Sequence, residues 1–226
     1  MNWVLDNLDL IGELTLVHLR QSLIAIVIGF VISVPIGWAA FRYTPLRGAA
    51  LTTVGLLYTI PSLGLFALLA TLGIPYLSET NLIVALTIYA VAIMTRSVTD
   101  GLASVNPDTR AAAVAVGFGP WRRFWTVDFP LAGPVLLAGL RVTAVSTISL
   151  ATVGILIGVQ NLGYLFTNGS ARQIIAEVLA GVIAVVIIAV LIDLLLVLLG
   201  RVLMPWTRKT RTPVQRVPLH VPEAVA

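Results

Sequence analysis

The 226 residues include no cysteine, which removes disulfides, thiolate zinc sites, iron–sulfur ligation and cysteine nucleophiles together. Histidine occurs only at His18 and His220, leaving little material for metal or acid–base chemistry. Charge is scarce: 11% of residues are Asp, Glu, Lys or Arg, against about 25% in an ordinary soluble domain. Disordered chains are polar and strongly charged, so disorder is excluded for the bulk of the chain. No Gly-x-x-x-x-Gly-Lys-Ser/Thr stretch occurs, and the loops are too short for a nucleotide-hydrolysing domain. A folded chain of this size still exposes about a quarter of its extended-chain area. With 58% hydrophobic residues, a soluble monomer is excluded as well. The composition is that of an integral membrane protein and not of an enzyme.

What the sequence has in quantity is long apolar runs. A helix crossing a ~30 Å hydrocarbon layer at ~1.5 Å per residue needs about 20 mainly apolar residues. Uncharged runs cover Gln21–Phe41, Gly48–Ser78, Thr80–Thr95, Val142–Ala171, and Val178–Ile192 continuing past Asp193. Glu79 and Pro75 separate the second run from the third, and the third extends past Arg96 if that side chain snorkels to the interface. The reading is an all-α integral membrane protein with five spans, at about 19–41, 51–74, 80–97, 134–160 and 177–202. The fourth is expected to start near Pro134.

The first fifteen residues alternate Asp6, Asp9 and Glu13 with Trp3, Leu5, Leu8, Ile11 and Leu14. This pattern suits an amphipathic segment lying on the membrane surface, and its net negative charge does not fit a secretory leader. Residues 206–226, with Arg208, Lys209, Arg211 and Arg216, are expected to be a disordered basic tail near anionic headgroups. Of the 14 basic residues, eleven (Arg42, Arg47, Arg96, Arg110, Arg122, Arg123, Arg201 and the tail's four) fall on one side of a five-span layout. Arg20 and Arg172 fall on the other, with Asp6, Asp9, Glu13, Glu79 and Glu177. The positive-inside rule then places the C-terminus and the 104–130 loop in the cytoplasm and the N-terminus outside.

The 104–130 loop is the longest polar stretch before the tail. Asn106-Pro107-Asp108 reads as a helix start, and an alanine-rich helix is expected over Thr109–Val116. Gly117, Gly119 and Pro120 break it, and a second short helix runs from Trp121 to Phe129, ending at Pro130. A helix–glycine–helix on short arms suits mechanical docking better than chemistry; the alternative is an ordinary amphipathic connector.

This loop resembles the EAA loop of importer-type ABC permeases, whose pattern is Glu-Ala-Ala, three residues, Gly, nine residues, Ile-x-Leu-Pro. Here Ala111-Ala112-Ala113, Val114–Val116, Gly117, nine residues and Val127-Asp128-Phe129-Pro130 keep every spacing. The departure is Ala111 in place of glutamate, which puts a carboxylate contact at that position in doubt. His18–Trp38, Tyr58–Leu69, Ala138–Phe166 and the surroundings of Asp193 look like the glycine betaine/carnitine/choline branch, so the resemblance covers residues about 15–205. It implies a type I ABC importer permease fold with the loop as coupling helix, through Ala111, Ala112, Ala113, Gly117, Phe118, Gly119, Pro120, Trp121 and Pro130. It implies a second permease subunit, identical or paralogous, two cytoplasmic ATPases that consume the ATP, and an extracytoplasmic binding protein. Quaternary-amine osmoprotectants are the implied substrates. No cofactor, metal or nucleic acid is expected on this chain.

Pro61, within Tyr58-Thr59-Ile60-Pro61-Ser62, either bends the second span to line a translocation path or only kinks it for packing. Pro35 reads as a packing kink. Arg141 and Asp193 sit at matched depths in the last two spans. A lone charge there is costly, so they form an intramembrane ion pair, or else Arg141 snorkels while Asp193 bonds a hydroxyl. Asn161, in Gly158–Tyr164, belongs to a re-entrant gate on the translocation path or a binding-protein contact, or else to a helix cap and turn. Tyr58, Phe66 and Tyr89 are too scattered in sequence to define an aromatic cage for quaternary ammonium, so selectivity is expected mainly in the binding protein. His18 reads as an interfacial side chain. The competing functions are an ABC permease for another small solute, such as an amino acid, and a secondary transporter. The latter calls for repeated halves and coupling carboxylates, and neither is evident.

Overall fold

The structure, a computed structural model, describes residues 2–207. The expected basic tail lies outside them, apart from residues 206 and 207 in a short terminal turn, Pro205–Thr207. Among the described residues all regular structure is helical, with no strand. In order come α1 (Asn2–Asp6), α2 (Leu8–Arg42), α3 (Thr44–Thr59), α4 (Ser62–Thr71), α5 (Glu79–Ala103), α6 (Pro107–Ala115) and α7 (Pro120–Arg123). A π-helical turn (Phe124–Asp128) leads into α8 (Phe129–Ala151), which tightens to a 3-10 turn (Thr152–Ile157). α9 (Gly163–Ala171) and α10 (Ile175–Leu203) follow.

Four stretches are long and apolar enough to span a bilayer: Leu8–Arg42, Glu79–Ala103, Pro120–Ile157 and Ile175–Leu203. The pair α3 and α4 makes a fifth if the two count together, but they meet at 105°. Three differences from the sequence reading follow. The N-terminal amphipathic segment does not lie apart from the first span: the short α1 leads at Asn7 into α2, which runs unbroken for 35 residues, about 52 Å at ~1.5 Å per residue. The segment packs into the body, with Trp3, Leu10 and Ile11 against the core made by Leu14, Leu165, Val185 and Ile188. The second span is broken outright at Ile60–Pro61, not merely kinked.

The fourth span does not begin near Pro134. The chain is helical from Pro120 onward, and neither Pro130 nor Pro134 stops it. Pro130 is tolerated because the preceding turn is wide, the Phe129 N–H reaching back to the Phe124 carbonyl. A helix that has already slipped to i→i+5 bonding has room for a ring that would clash in a regular turn.

Helix α5 is the centre, packed between α2 and α8, with α3 and α4 along another side. Its most apolar window has a mean hydropathy of only 1.8 and is 56% buried, while α10 reaches 3.4 and is 11% buried. The inversion is what a lipid-bathed protein requires: the outermost helix needs hydrocarbon all round, and the central one can use small and polar residues because its neighbours are protein. A Cβ on Gly29 would stand 2.5 Å from that of Ala90, so α2 and α5 touch backbone to backbone there. Such close approach substitutes dispersion contact for the hydrophobic driving force that lipid does not provide.

Candidate functional site

The 104–130 loop starts where the Asn106 side-chain oxygen accepts the Asp108 N–H at 2.7 Å and Pro107 opens α6. This is an N-cap with proline at a position whose N–H has no helical partner. The helix ends one residue before its expected Val116, by a Schellman closure: the Gly117 N–H bonds the Val114 carbonyl at 2.9 Å and the Phe118 N–H bonds that of Ala113 at 3.0 Å. Gly117 has φ +88°, a left-handed conformation costly for a residue with a side chain. A Cβ there would meet nothing within 4 Å, so glycine is required for its backbone and not for space. Ala111 and Ala112 are exposed, while Ala113 is buried. Gly119 and Pro120 open α7, which places Trp121 on the surface and Arg122 over the Phe118 ring at 4.4 Å. Trp121, Phe124, Trp125 and Phe129 form a chain of ring contacts of 4.9–6.3 Å, stacked between Trp121 and Phe124 and edge-on or tilted elsewhere.

Beneath this knob lies a cluster the sequence reading missed. Asp128, 3% exposed, accepts Arg110 Nε at 2.7 Å on one oxygen and Arg123 Nε at 3.2 Å on the other. Arg110 also donates to the Leu102 carbonyl and lies 4.6 Å over the Phe41 ring. Asp128 occupies the variable position of the Ile-x-Leu-Pro element, so the loop pattern gives it no signal. The nearest hint in the sequence is an acidic residue within an otherwise aromatic and basic stretch.

At Ile60–Pro61, Thr59 and Pro61 are exposed and Ser62 is partly buried. Proline at 61 cannot donate, and the Ile60 carbonyl released by the break accepts the Tyr89 hydroxyl at 2.6 Å. Tyr89 in turn meets Tyr58 edge to face, with centroids 6.0 Å apart at 89°. Two of the three rings scattered in sequence are therefore neighbours, whereas Phe66 is buried in the core. Below Tyr58 a cavity of about 400 Å³ opens between α3 and α5, walled by Val54, Gly55 and Tyr58 on one side and Ala92, Arg96 and Ser97 on the other.

Two expectations are corrected at the opposite end. Asn161 does not face a path. It is fully buried, its amide donating to the Ala151 carbonyl at 2.7 Å and to Gln21 Oε1 at 3.2 Å while its oxygen accepts the Gly163 N–H at 2.8 Å. Those bonds pin the 158–163 turn, where Gly158 has φ +73°, against α2. His18 is not interfacial either: it is fully buried, with Nε2 2.9 Å from the Ile148 carbonyl.

The structure brings Arg141 and Asp193 together in a two-pronged contact, Nε to Oδ1 at 2.6 Å and the terminal nitrogen to Oδ2 at 2.8 Å. It joins α8 to α10, with side chains 42% and 30% exposed. Where the surroundings are hydrocarbon, no water competes for either group and the fork geometry satisfies both.

Residues 29–209 match the family described as binding-protein-dependent transport system inner membrane component. The chain belongs to that family. Its members are transport subunits of ABC importers, and ATP is hydrolysed by the partner ATPase. It is 31% identical over 189 residues to the osmoprotectant import permease protein OsmW of Salmonella typhimurium, covering 79% of this chain and 86% of that one. Identity is 34% over 151 residues to the glycine betaine/carnitine/choline transport system permease protein OpuCB of Bacillus subtilis, covering 66% and 68%. To the choline transport system permease protein OpuBB of Bacillus subtilis it is 33% over 160 residues, covering 69% and 72%. An inward-facing structure of the MetNI methionine ABC transporter superposes with a TM-score of 0.77 at 20% identity, covering 87% of this permease and 97% of that chain. An amino acid ABC transporter superposes at 0.69 and 19% identity, covering 90% and 96%. The all-α fold of this permease is that of type I ABC importer permeases.

Proposed function

We propose that this permease forms the translocation path of an ATP-driven importer for quaternary-amine osmoprotectants of the glycine betaine, carnitine and choline type. The observation that carries the solute class is the 31–34% identity, over two thirds or more of their length, to OsmW, OpuCB and OpuBB. The likeness to methionine and amino acid transporters, at 20% identity or below, speaks for the fold alone.

In this reading the N-terminus faces out and the C-terminus is cytoplasmic, supported by the basic residues gathered at one end of the helices. Two permease subunits enclose one path, each with an ATPase below, and a binding protein delivers solute from outside. No cofactor binds to this chain. The knob from Ala111 to Trp121 sits in the ATPase, and Pro130 continues its arm directly into α8 because the helix does not stop there. ATP binding and hydrolysis tilt the knob, and the spans follow as alternating access. The Tyr58-Thr59-Ile60-Pro61-Ser62 break borders the path. Its freed backbone groups are tolerable at membrane depth where they line a watery cavity or find a partner, as the Ile60 carbonyl does.

The test is uptake of labelled glycine betaine, carnitine and choline by cells lacking other osmoprotectant importers. They would express this chain with the ATPase and binding protein of its own genome. ATP-dependent uptake of at least one supports the reading. Uptake of none, or solute movement by the chain alone in liposomes, overturns it.

A further inference from the structure

The cavity between α3 and α5 differs from the other cavities described in the structure. Those are walled by hydrocarbon and aromatic side chains such as Phe30, Leu137 and Leu196, Trp38 and Trp125, or Leu23 and Val27. This one joins an arginine to a tyrosine ring. Arg96 lies 17 residues along α5 from Glu79, about 25 Å at ~1.5 Å per residue, and well short of the helix end at Ala103. It is exposed and, among the described residues, has no hydrogen-bond or ion-pair partner within 4 Å; Asp100, one turn further on, is not paired with it. An unpaired guanidinium on a spanning helix is costly in lipid and is found facing a water-filled cavity or substrate path.

The tyrosine is held for use. Tyr58 is 49% exposed, lines the cavity and meets Tyr89 edge to face. Tyr89 is itself fixed by the Ile60 carbonyl, so the break at Pro61 sets the ring pair. Gly55, three residues before Tyr58 and hence on the same side of α3, leaves that wall open: a Cβ there would meet nothing within 4 Å. The two polar features complement the two ends of one solute class. A quaternary ammonium sits on an aromatic face by cation–π attraction. A carboxylate takes the two-pronged donors of arginine.

We infer that this cavity is a transient binding site for zwitterionic quaternary amines, the ammonium on Tyr58 and the carboxylate on Arg96. The permease itself thereby favours betaine and carnitine over choline, which has a hydroxyl in place of the carboxylate and only a positive charge to bring toward Arg96. The inference rests on the osmoprotectant reading above and adds to it a selectivity step outside the binding protein.

The experiment compares wild type, Arg96→Gln, Arg96→Lys and Tyr58→Leu in the uptake assay above, with one binding protein throughout, saturating solute, and membrane abundance measured by immunoblot. Arg96→Gln is expected to lower the ratio of betaine to choline uptake about tenfold. Arg96→Lys, which keeps the charge but loses the planar fork, should lower it less. Tyr58→Leu should reduce uptake of all three solutes with little change in the ratio. A ratio that Arg96→Gln leaves unchanged overturns the site and assigns Arg96 to a lipid headgroup or a partner subunit. If Arg96→Gln fails to reach the membrane, Arg96→Lys supplies the reading, and an unchanged ratio there overturns the site equally. If the binding protein delivers betaine alone, the reading is a larger fall for Arg96→Gln than for Arg96→Lys, and equal falls overturn the site. A wild type that carries choline but not betaine sinks this inference alone; one that carries none of the three sinks the proposed function with it.

Discussion

Arg110 Nε donates to Asp128 Oδ1 across 2.7 Å, from the first turn of α6 to the π-helical turn below it. Because the same arginine also bonds the Leu102 carbonyl and covers Phe41, one side chain ties the knob to α2, to α5 and to the turn that leads into α8. A load applied to α6 reaches three spans through this joint and not only through the peptide links at Ser104 and Gly119. Asp128→Asn leaves two guanidiniums facing a group that no longer carries charge. Breaking a buried pair in this way costs about 3–5 kcal/mol. Thermal unfolding of the purified variant should show the loss. In proteoliposomes with the partner subunits, solute moved per ATP hydrolysed should fall even where hydrolysis persists.

Gly117 owes its place to its φ of +88°. Gly117→Val is expected to insert normally, since the site is open, but to carry roughly 1–2 kcal/mol of backbone strain and re-aim the hinge. Uptake should drop several-fold while ATP hydrolysis continues, and Gly117→Asn, a residue that tolerates this conformation, should retain most uptake. Normal uptake by Gly117→Val counts against the knob as the coupling element.

The alanine triplet is asymmetric: Ala111 is exposed and Ala113 buried. Ala111→Glu, which introduces the residue the family carries there, should change stability by no more than about 0.5 kcal/mol. Ala113→Glu buries an unpaired charge and should reduce abundance in the membrane strongly. Comparing the two by fluorescence-detected size-exclusion chromatography checks the orientation of α6 directly.

Arg141 and Asp193 form a closed pair between α8 and α10. Arg141→Gln and Asp193→Asn should each lower the yield of assembled subunit, and the double variant should lose less than the two effects combined. Strict additivity in that double-mutant cycle would show that the groups act separately.

The all-helical membrane fold was legible in hydropathy alone, because runs as long as Val178–Ile192 have no other use in a chain with so little charge. The knob was legible from spacing, since alanine, glycine and proline act on the backbone locally. What escaped depended on partners far away in sequence. Pro61 gave notice of a bend but not of one as sharp as 105°, for the Ile60 carbonyl released at the break is satisfied by Tyr89, 29 residues on from Ile60. Nothing local in Gly158–Tyr164 decides between a gate and a cap for Asn161, because its partner Gln21 lies 140 residues earlier. Pro130 looked like a stop because a π-helical turn leaves no periodicity to read. Arg96 looked like a snorkelling end residue, and only the placement of α3 across from it makes a cavity.

Gly29 beneath Ala90 and Gly37 beneath Val98 bring α2 and α5 so close that neither can slide past the other without colliding. In the proposed transport cycle these two helices would therefore move together. The compliance that the proposed alternating access calls for would then fall to the elbow at Ile60–Pro61, where α3 and α4 meet at 105°. In the proposed cycle the stroke would therefore turn on that elbow while the interlocked pair keeps its register.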